Sequence, residues 1–138
     1  MEIHPFLPNQ ELVDYAKAHN MLLVAYSPLG SQNQVLTTGE RVAENAMLND
    51  VARRTGHSLA QVPIAWGVHR GYPVLPKTAM PSRIRSNFEE FGLSDEHYEA
   101  INAVARGRHT RFVNMKDTFG FDLWPEEAMN TSLVGYFR

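Results

Sequence analysis

Met21-Leu22-Leu23-Val24-Ala25-Tyr26-Ser27-Pro28-Leu29-Gly30-Ser31 is the stretch that decides the fold of this chain. Its first six residues are apolar or aromatic without alternation, the pattern of a parallel strand covered by helices on both faces. The run then turns at once into Ser, Pro and Gly. A strand end that opens into such a loop is where α/β folds place ligand sites. A second stretch repeats the layout. Tyr72 to Pro76 reads as a short strand, and it runs into Lys77-Thr78-Ala79-Met80-Pro81-Ser82-Arg83-Ile84-Arg85-Ser86-Asn87.

Working outward, helical patterns separate these strands. From Asn9 to His19 the residues Leu12, Val13 and Ala16 share one helical face, and Asn20 ends the helix. Ser27 to Arg41 is polar and rich in Gln, Thr and Gly, a loop of a length more often functional than idle. A helix is expected over 44–55, with Met47, Leu48, Val51 and Ala52 on one side and Gly56 closing it. Ser58-Leu59-Ala60-Gln61 is a capping box opening a helix that runs to about Arg70. Pro81 suits the first turn of a following helix, and Ser94-Asp95-Glu96 opens another that ends near Gly107. Upstream, Glu2 to His4 reads as the last part of a strand. Alternating β and α without internal repeats argues one parallel α/β domain over 1–138, with no boundary inside it.

Composition excludes more than it assigns. The chain has 138 residues, 43% apolar and 20% charged, and a net charge of −2. That length holds one core but is short of the roughly 200 residues that a complete (β/α)8 barrel needs. The charge gives no general attraction to nucleic acid or to a membrane surface. There is no Cys, so disulfide and thiolate chemistry are absent. With no long apolar run, a cytoplasmic chain is expected. The six His show no ligand spacing with carboxylates, so no metal site is expected.

In order along the chain, His4-Pro5, then Ala25-Tyr26-Ser27-Pro28-Leu29-Gly30-Ser31, then Arg70-Gly71, Pro76-Lys77, Arg83-Ile84 and Asn87 resemble the cofactor-binding half of an aldo-keto reductase. The resemblance covers nearly the whole chain. It implies the C-terminal part of a (β/α)8 TIM barrel, about strands 6–8 with their helices and the tail, with the barrel incomplete. The tail Arg111-Phe112-Val113-Asn114-Met115-Lys116-Asp117 with Trp124-Pro125 looks most like fungal members that interconvert polyols and small aldehydes.

The resemblance implies NADP as cofactor, held by Tyr26, Ser27, Leu29, Ser31, Lys77, Thr78, Arg83 and Asn87. Tyr26, at a strand end, suits a ring stacked on a nicotinamide or one that fills the barrel mouth. Ser27, Leu29 and Ser31 lie in a turn able to offer hydroxyls and backbone N–H groups to a pyrophosphate. Lys77, Thr78 and Arg83 supply the two cations and the hydroxyl that a ribose 2′-phosphate calls for, with Arg83 in the first turn of a helix. The same charges otherwise make a solvated basic face. Asn87, one turn on, is placed to meet an adenine edge; beside it Ser86 stands where the family often carries an acidic residue. His4 reads as structural. Phe119, Phe121 and Trp124 either line a substrate pocket or form a packed tail.

The family's catalytic Tyr, Lys, Asp and His would all precede the matched region, so no catalytic residue is assigned within 1–138. The expectation is a segment of an NADP-dependent reductase acting on small carbonyl or polyol substrates, inactive alone. Two alternatives stand beside it: one half of a complemented enzyme, or a non-catalytic nucleotide- or protein-binding remnant. Open sheet edges predict self-association. Two prolines sit awkwardly. Pro63 falls near the fifth position of a helix starting at Ser58, where an interior proline costs about 3 kcal/mol, and Pro73 enters a strand. Both fit either harmless boundaries or relaxed selection.

Overall fold

The computed structural model describes residues 1–30, 40–89, 91–125 and 127. Their elements run α1 (Gln10–Ala18), β1 (Ala25–Tyr26), a 3-10 turn (Val42–Glu44), α2 (Ala46–Thr55), α3 (Gln61–His69), β2 (Val74–Leu75), α4 (Pro81–Phe88), α5 (Asp95–Ala105) and α6 (Lys116–Phe119).

β1 lies in the centre of a small parallel sheet. Ala25 stands opposite Val74 and Tyr26 opposite Leu75. On the other side Glu2 makes a parallel bridge to Tyr26, through Tyr26 N–H to Met1 O at 2.9 Å and Ile3 N–H to Tyr26 O at 3.4 Å. Each crossover between these segments carries helix, α1 in the first and α2 with α3 in the second, the βαβ arrangement of a barrel wall.

Both strands are shorter than the sequence predicts. The expected strand over 21–26 keeps only Ala25 and Tyr26, while Met21 and Leu22 are 56% and 78% exposed. Met21 N–H is taken by Ala16 O of α1 at 2.8 Å, and strand partners meet the segment further on: the Met1 ammonium donates to Val24 O at 2.8 Å, and Ala25 N–H to Pro73 O at 2.9 Å. Before those points the apolar run has no ladder to join. β2 shrinks in the same way to Val74–Leu75 because Pro73 and Pro76, which have no N–H, flank it. Pro73 therefore contributes its carbonyl just outside the strand, where it is harmless.

The helices end near where the sequence predicts, but α2 starts two residues after 44 and α3 three residues after Ser58. Asn45 accepts from the N–H groups of Met47 and Leu48 at the start of α2, and Gly56, at φ 70°, ends it. At the capping box Ser58 N–H donates to Gln61 Oε1 at 2.9 Å, and Gln61 N–H reaches back to Ser58 Oγ at 3.4 Å. Regular α-helix begins only at Gln61, so Pro63 lies in its first turn, where a missing N–H breaks no helical bond. The 3 kcal/mol cost does not arise.

The core joins the sheet to the helices. Ile3, Phe6, Val13, Ala25, Leu48, Val51, Val62, Trp66 and Ile101 are buried together, and α2, α3 and α5 pack on one another. Trp66 keeps its indole N–H satisfied by donating to Asn102 Oδ1 at 2.9 Å. α3 is buried nearly all round. α4 is the opposite case, with no buried residue; its Ile84 and Phe88 are 58% and 90% exposed.

Candidate functional site

β1 and β2 are parallel neighbours, so their C-terminal ends open on the same edge of the sheet. The predicted site residues leave from those two ends. Tyr26 closes β1 with its side chain 39% exposed, leaving ring surface available for a flat partner. Burial, then the nearby Glu2 charge, pushes its phenol above the ordinary range. Ser27 follows at φ 52°, in the left-handed region that a residue with a Cβ seldom adopts. Gly30 N–H closes the turn on Ser27 O at 2.8 Å. Leu29 is half-buried within it. Ser31 lies outside the described residues.

The chain leaving the second strand end carries Lys77 and Thr78, and then Arg83 and Asn87 on α4. Pro81 occupies the first helical position of α4, as predicted, and Arg83 stands two residues on, in the first turn. No side chain caps this helix; Thr78 Oγ1 instead accepts from Met80 N–H at 3.2 Å, just ahead of it. Lys77 and Arg83 are exposed and form no ion pair among the described residues. Beside them a cleft of about 270 Å³ is lined by Val74, Pro76, Thr78, Ile84, Asn87 and Phe88.

Asn87 has an unusual state. Its Oδ1 is buried and has no hydrogen-bond partner, one of two such side-chain atoms among the described residues. A buried acceptor left unpaired costs about 1–3 kcal/mol, and such groups are scarce in folded proteins. This one borders a cleft that also holds a hydroxyl and lies next to two free cations. The set has the chemistry of a nucleotide phosphate and base site: cations and an uncapped helix start for the anion, an amide for a base edge.

Other sequence expectations resolve as structure. His4 is fully buried and structural: its Nε2 lies 2.9 Å from Glu2 Oε1, and its Nδ1 accepts from Phe6 N–H at 3.2 Å. Tyr72 is pushed up to about 12, mainly by burial, and its hydroxyl takes a 2.9 Å hydrogen bond from Arg70. Such a phenol stays protonated at neutral pH. Trp124, Phe119 and Phe121 do not converge. The two Phe rings stack at 5.9 Å and are more than half exposed. Trp124 instead lies under Arg111, 3.7 Å from the guanidinium, and lines a separate cleft at the start of α1.

Sequence reasoning missed three polar residues with structural weight. Arg70, 6% exposed, donates to Pro8 O, Gln10 Oε1 and Tyr72 Oη, tying α3 to the start of α1. Arg111 grips Glu127 through Nε and Nη2 at 2.6–3.0 Å. Glu2 is wholly buried. The signal for Glu2 was its spacing from His4: two residues apart in a strand place both side chains on one face.

A parallel βαβαβ wall with helix in each crossover is the architecture of a segment of a (β/α)8 barrel. The family model described as "Aldo/keto reductase family" matches residues 1–106, and the chain belongs to that family. It is 65% identical over 127 residues to a glycerol 2-dehydrogenase (NADP(+)) of Hypocrea jecorina, covering 92% of this chain and 40% of that protein. A Saccharomyces cerevisiae protein of the same name is 43% identical over 106 residues, covering 77% of this chain and 32% of its own length. Among solved structures, an aldose reductase from Giardia lamblia superposes with a TM-score of 0.77 at 32% identity, over 89% of this chain and 41% of that one. The chain thus spans about a third to two fifths of the length of these relatives.

Proposed function

We propose that residues 1–138 form the dinucleotide-binding portion of an NADP-dependent oxidoreductase of small carbonyl or polyol substrates. The observation that carries this reading is the second strand end: Lys77 and Arg83 without an ion pair among the described residues, Thr78 between them in sequence, and Asn87, whose buried Oδ1 has no partner, lining the adjoining cleft. The name carried by relatives as similar as 65% supports the cofactor and the substrate class. Bound there, NADPH would supply a hydride to a carbonyl carbon, or NADP(+) would accept one from an alcohol.

This chain's own residues hold rather than react. Lys77 and Arg83 would neutralise the 2′-phosphate and favour NADPH over NADH. Thr78, whose oxygen accepts from Met80 N–H, keeps its O–H to donate to the same phosphate. Asn87 Oδ1 would accept from an adenine amino group. Tyr26 would lie against the nicotinamide, its raised pKa keeping the phenol neutral. No residue of 1–138 is proposed for proton transfer to the carbonyl oxygen.

Calorimetric titration of the purified chain with NADPH, with NADH as control, tests this reading. Micromolar binding that prefers NADPH is expected. Equal affinity for both, or no binding by a demonstrably folded chain, overturns it.

A further inference from the structure

Glu2 is a carboxylate with no solvent exposure, an arrangement that is costly unless donors converge on it. Three do. His4 supplies the first: its Nδ1 accepts from Phe6 N–H, so its proton sits on Nε2 and points at Glu2 Oε1, 2.9 Å away. The other two come from 110 and 111 residues further along the chain. Phe112 N–H reaches Oε1 at 3.0 Å and Val113 N–H reaches Oε2 at 3.0 Å. Two consecutive backbone N–H groups straddling one carboxylate make a small anion nest.

The same stretch of tail touches the 2–9 segment at alternate positions. The Arg108 guanidinium lies 4.2 Å from the Phe6 ring, Thr110 N–H donates to Phe6 O at 2.8 Å, and the Phe112 ring packs 5.0 Å from His4. Beyond it Arg111 carries Trp124 and Glu127. Glu2 is itself bridged to Tyr26, whose phenol lies within electrostatic reach of Arg111. The carboxylate thus stands where the tail meets the strand end that bears the candidate site.

We propose that Glu2 is a positioning residue that seats residues 108–113 as a strap across the strand beside β1, and so places Arg111 and Trp124 relative to Tyr26. The seat needs a carboxylate. A Gln at this position would turn an NH2 toward one of the two backbone N–H groups, leaving one donor facing another. Lifting the strap would leave a buried charge with one hydrogen bond of three, so strap and charge hold each other in place. This seating is read without nucleotide and does not rest on the dinucleotide reading.

Amide exchange of the full 138-residue chain, with Glu2→Gln beside it, tests the proposal. Exchange at Phe112 and Val113 should accelerate at least 10-fold in the variant, with the amides of Leu48 and Val51 in α2 unchanged. In chain labelled with 5-fluorotryptophan, the Trp124 fluorine resonance, assigned through Trp124→Phe, should move toward its solvent-exposed position while that of Trp66 stays. Val113→Pro removes one donor from the tail side and leaves the buried strand untouched, so it serves if Glu2→Gln fails to fold; it should accelerate Phe112 and shift Trp124 likewise. Unchanged exchange and an unmoved Trp124 resonance would overturn the seat. Uniform acceleration across α2 and the tail would overturn it too, making Glu2 a residue of the core rather than of the strap.

Discussion

A methyl group on Gly67 would stand 2.6 Å from Cγ1 of Val74. α3 therefore packs on β2 at a distance that only glycine permits, and Val74 is stiff at χ1 and cannot swing aside freely. Gly67→Ala should gain up to about 1 kcal/mol of helix propensity and lose about 1–3 kcal/mol to overpacking, a net destabilisation in urea denaturation. Because β2 leads directly to Lys77 and Thr78, NADPH affinity should fall with it.

Lys77→Ala and Arg83→Ala should each weaken NADPH at least 10-fold, since a charge-assisted hydrogen bond contributes about 1.5–3 kcal/mol. NADH, without the 2′-phosphate, should lose little. Both side chains are exposed, and the thermal midpoint of the free chain should stay where it is. Calorimetric titrations at two salt concentrations check this, because the discrimination should shrink as salt rises.

Asn87→Leu separates binding from folding. It removes an unpaired buried acceptor, so stability should hold or rise by about 1 kcal/mol, the desolvation cost of that atom. NADPH affinity should nonetheless drop several-fold. A stability loss of the size usual for a buried hydrogen bond would show that Asn87 serves the fold instead.

Stability should fall in two steps as the solution is acidified. Burial, outweighing the pull of Glu2, holds His4 below its ordinary 6.5. A depressed native pKa means that the unfolded chain takes up the proton first, so this contribution is present above about 6.5 and is lost as pH falls toward the folded value. Burial alone would raise Glu2, but hydrogen bonds from His4, Phe112 and Val113 hold it below its ordinary 4.5. Arg111 and His109 similarly hold Glu127 down against its burial. Their contributions are present above about 4.5 and are lost below it. Thermal midpoints against pH should show both windows; His4→Gln should abolish the upper one and weaken the lower one, because Glu2 then loses its partner at position 4.

The sequence made the helices legible because their ends are written in single residues. Gly56, Ser58 with Gln61, Pro81 and Ser94 each perform the capping or starting role that their chemistry suggests, while Asn45 caps α2 where the apolar pattern placed the start at 44. The strands were legible in place but not in length. An apolar run such as Met21 to Tyr26 shows where a strand can form, while its extent depends on partners that lie 20 to 50 residues away. The two strand ends of the candidate site stood out in the sequence because basic and hydroxyl residues collect there. Glu2 and Trp124 were harder. Each takes its meaning from a tail without periodicity, and only the folded chain shows Phe112 over His4 or Arg111 over Trp124.

Helix α4 carries Arg83 and Asn87, yet buries none of its residues. With so little apolar contact, it belongs among the elements that open at low free energy while the core of α2, α3 and α5 stays closed. A ligand that bridges Lys77 on the strand end to Arg83 and Asn87 on this helix would supply the adhesion that the chain itself lacks there. Observed affinity is then the intrinsic affinity scaled by the fraction of molecules with α4 already docked. Substitutions on its outer face that never touch nucleotide would tune binding by changing that fraction alone.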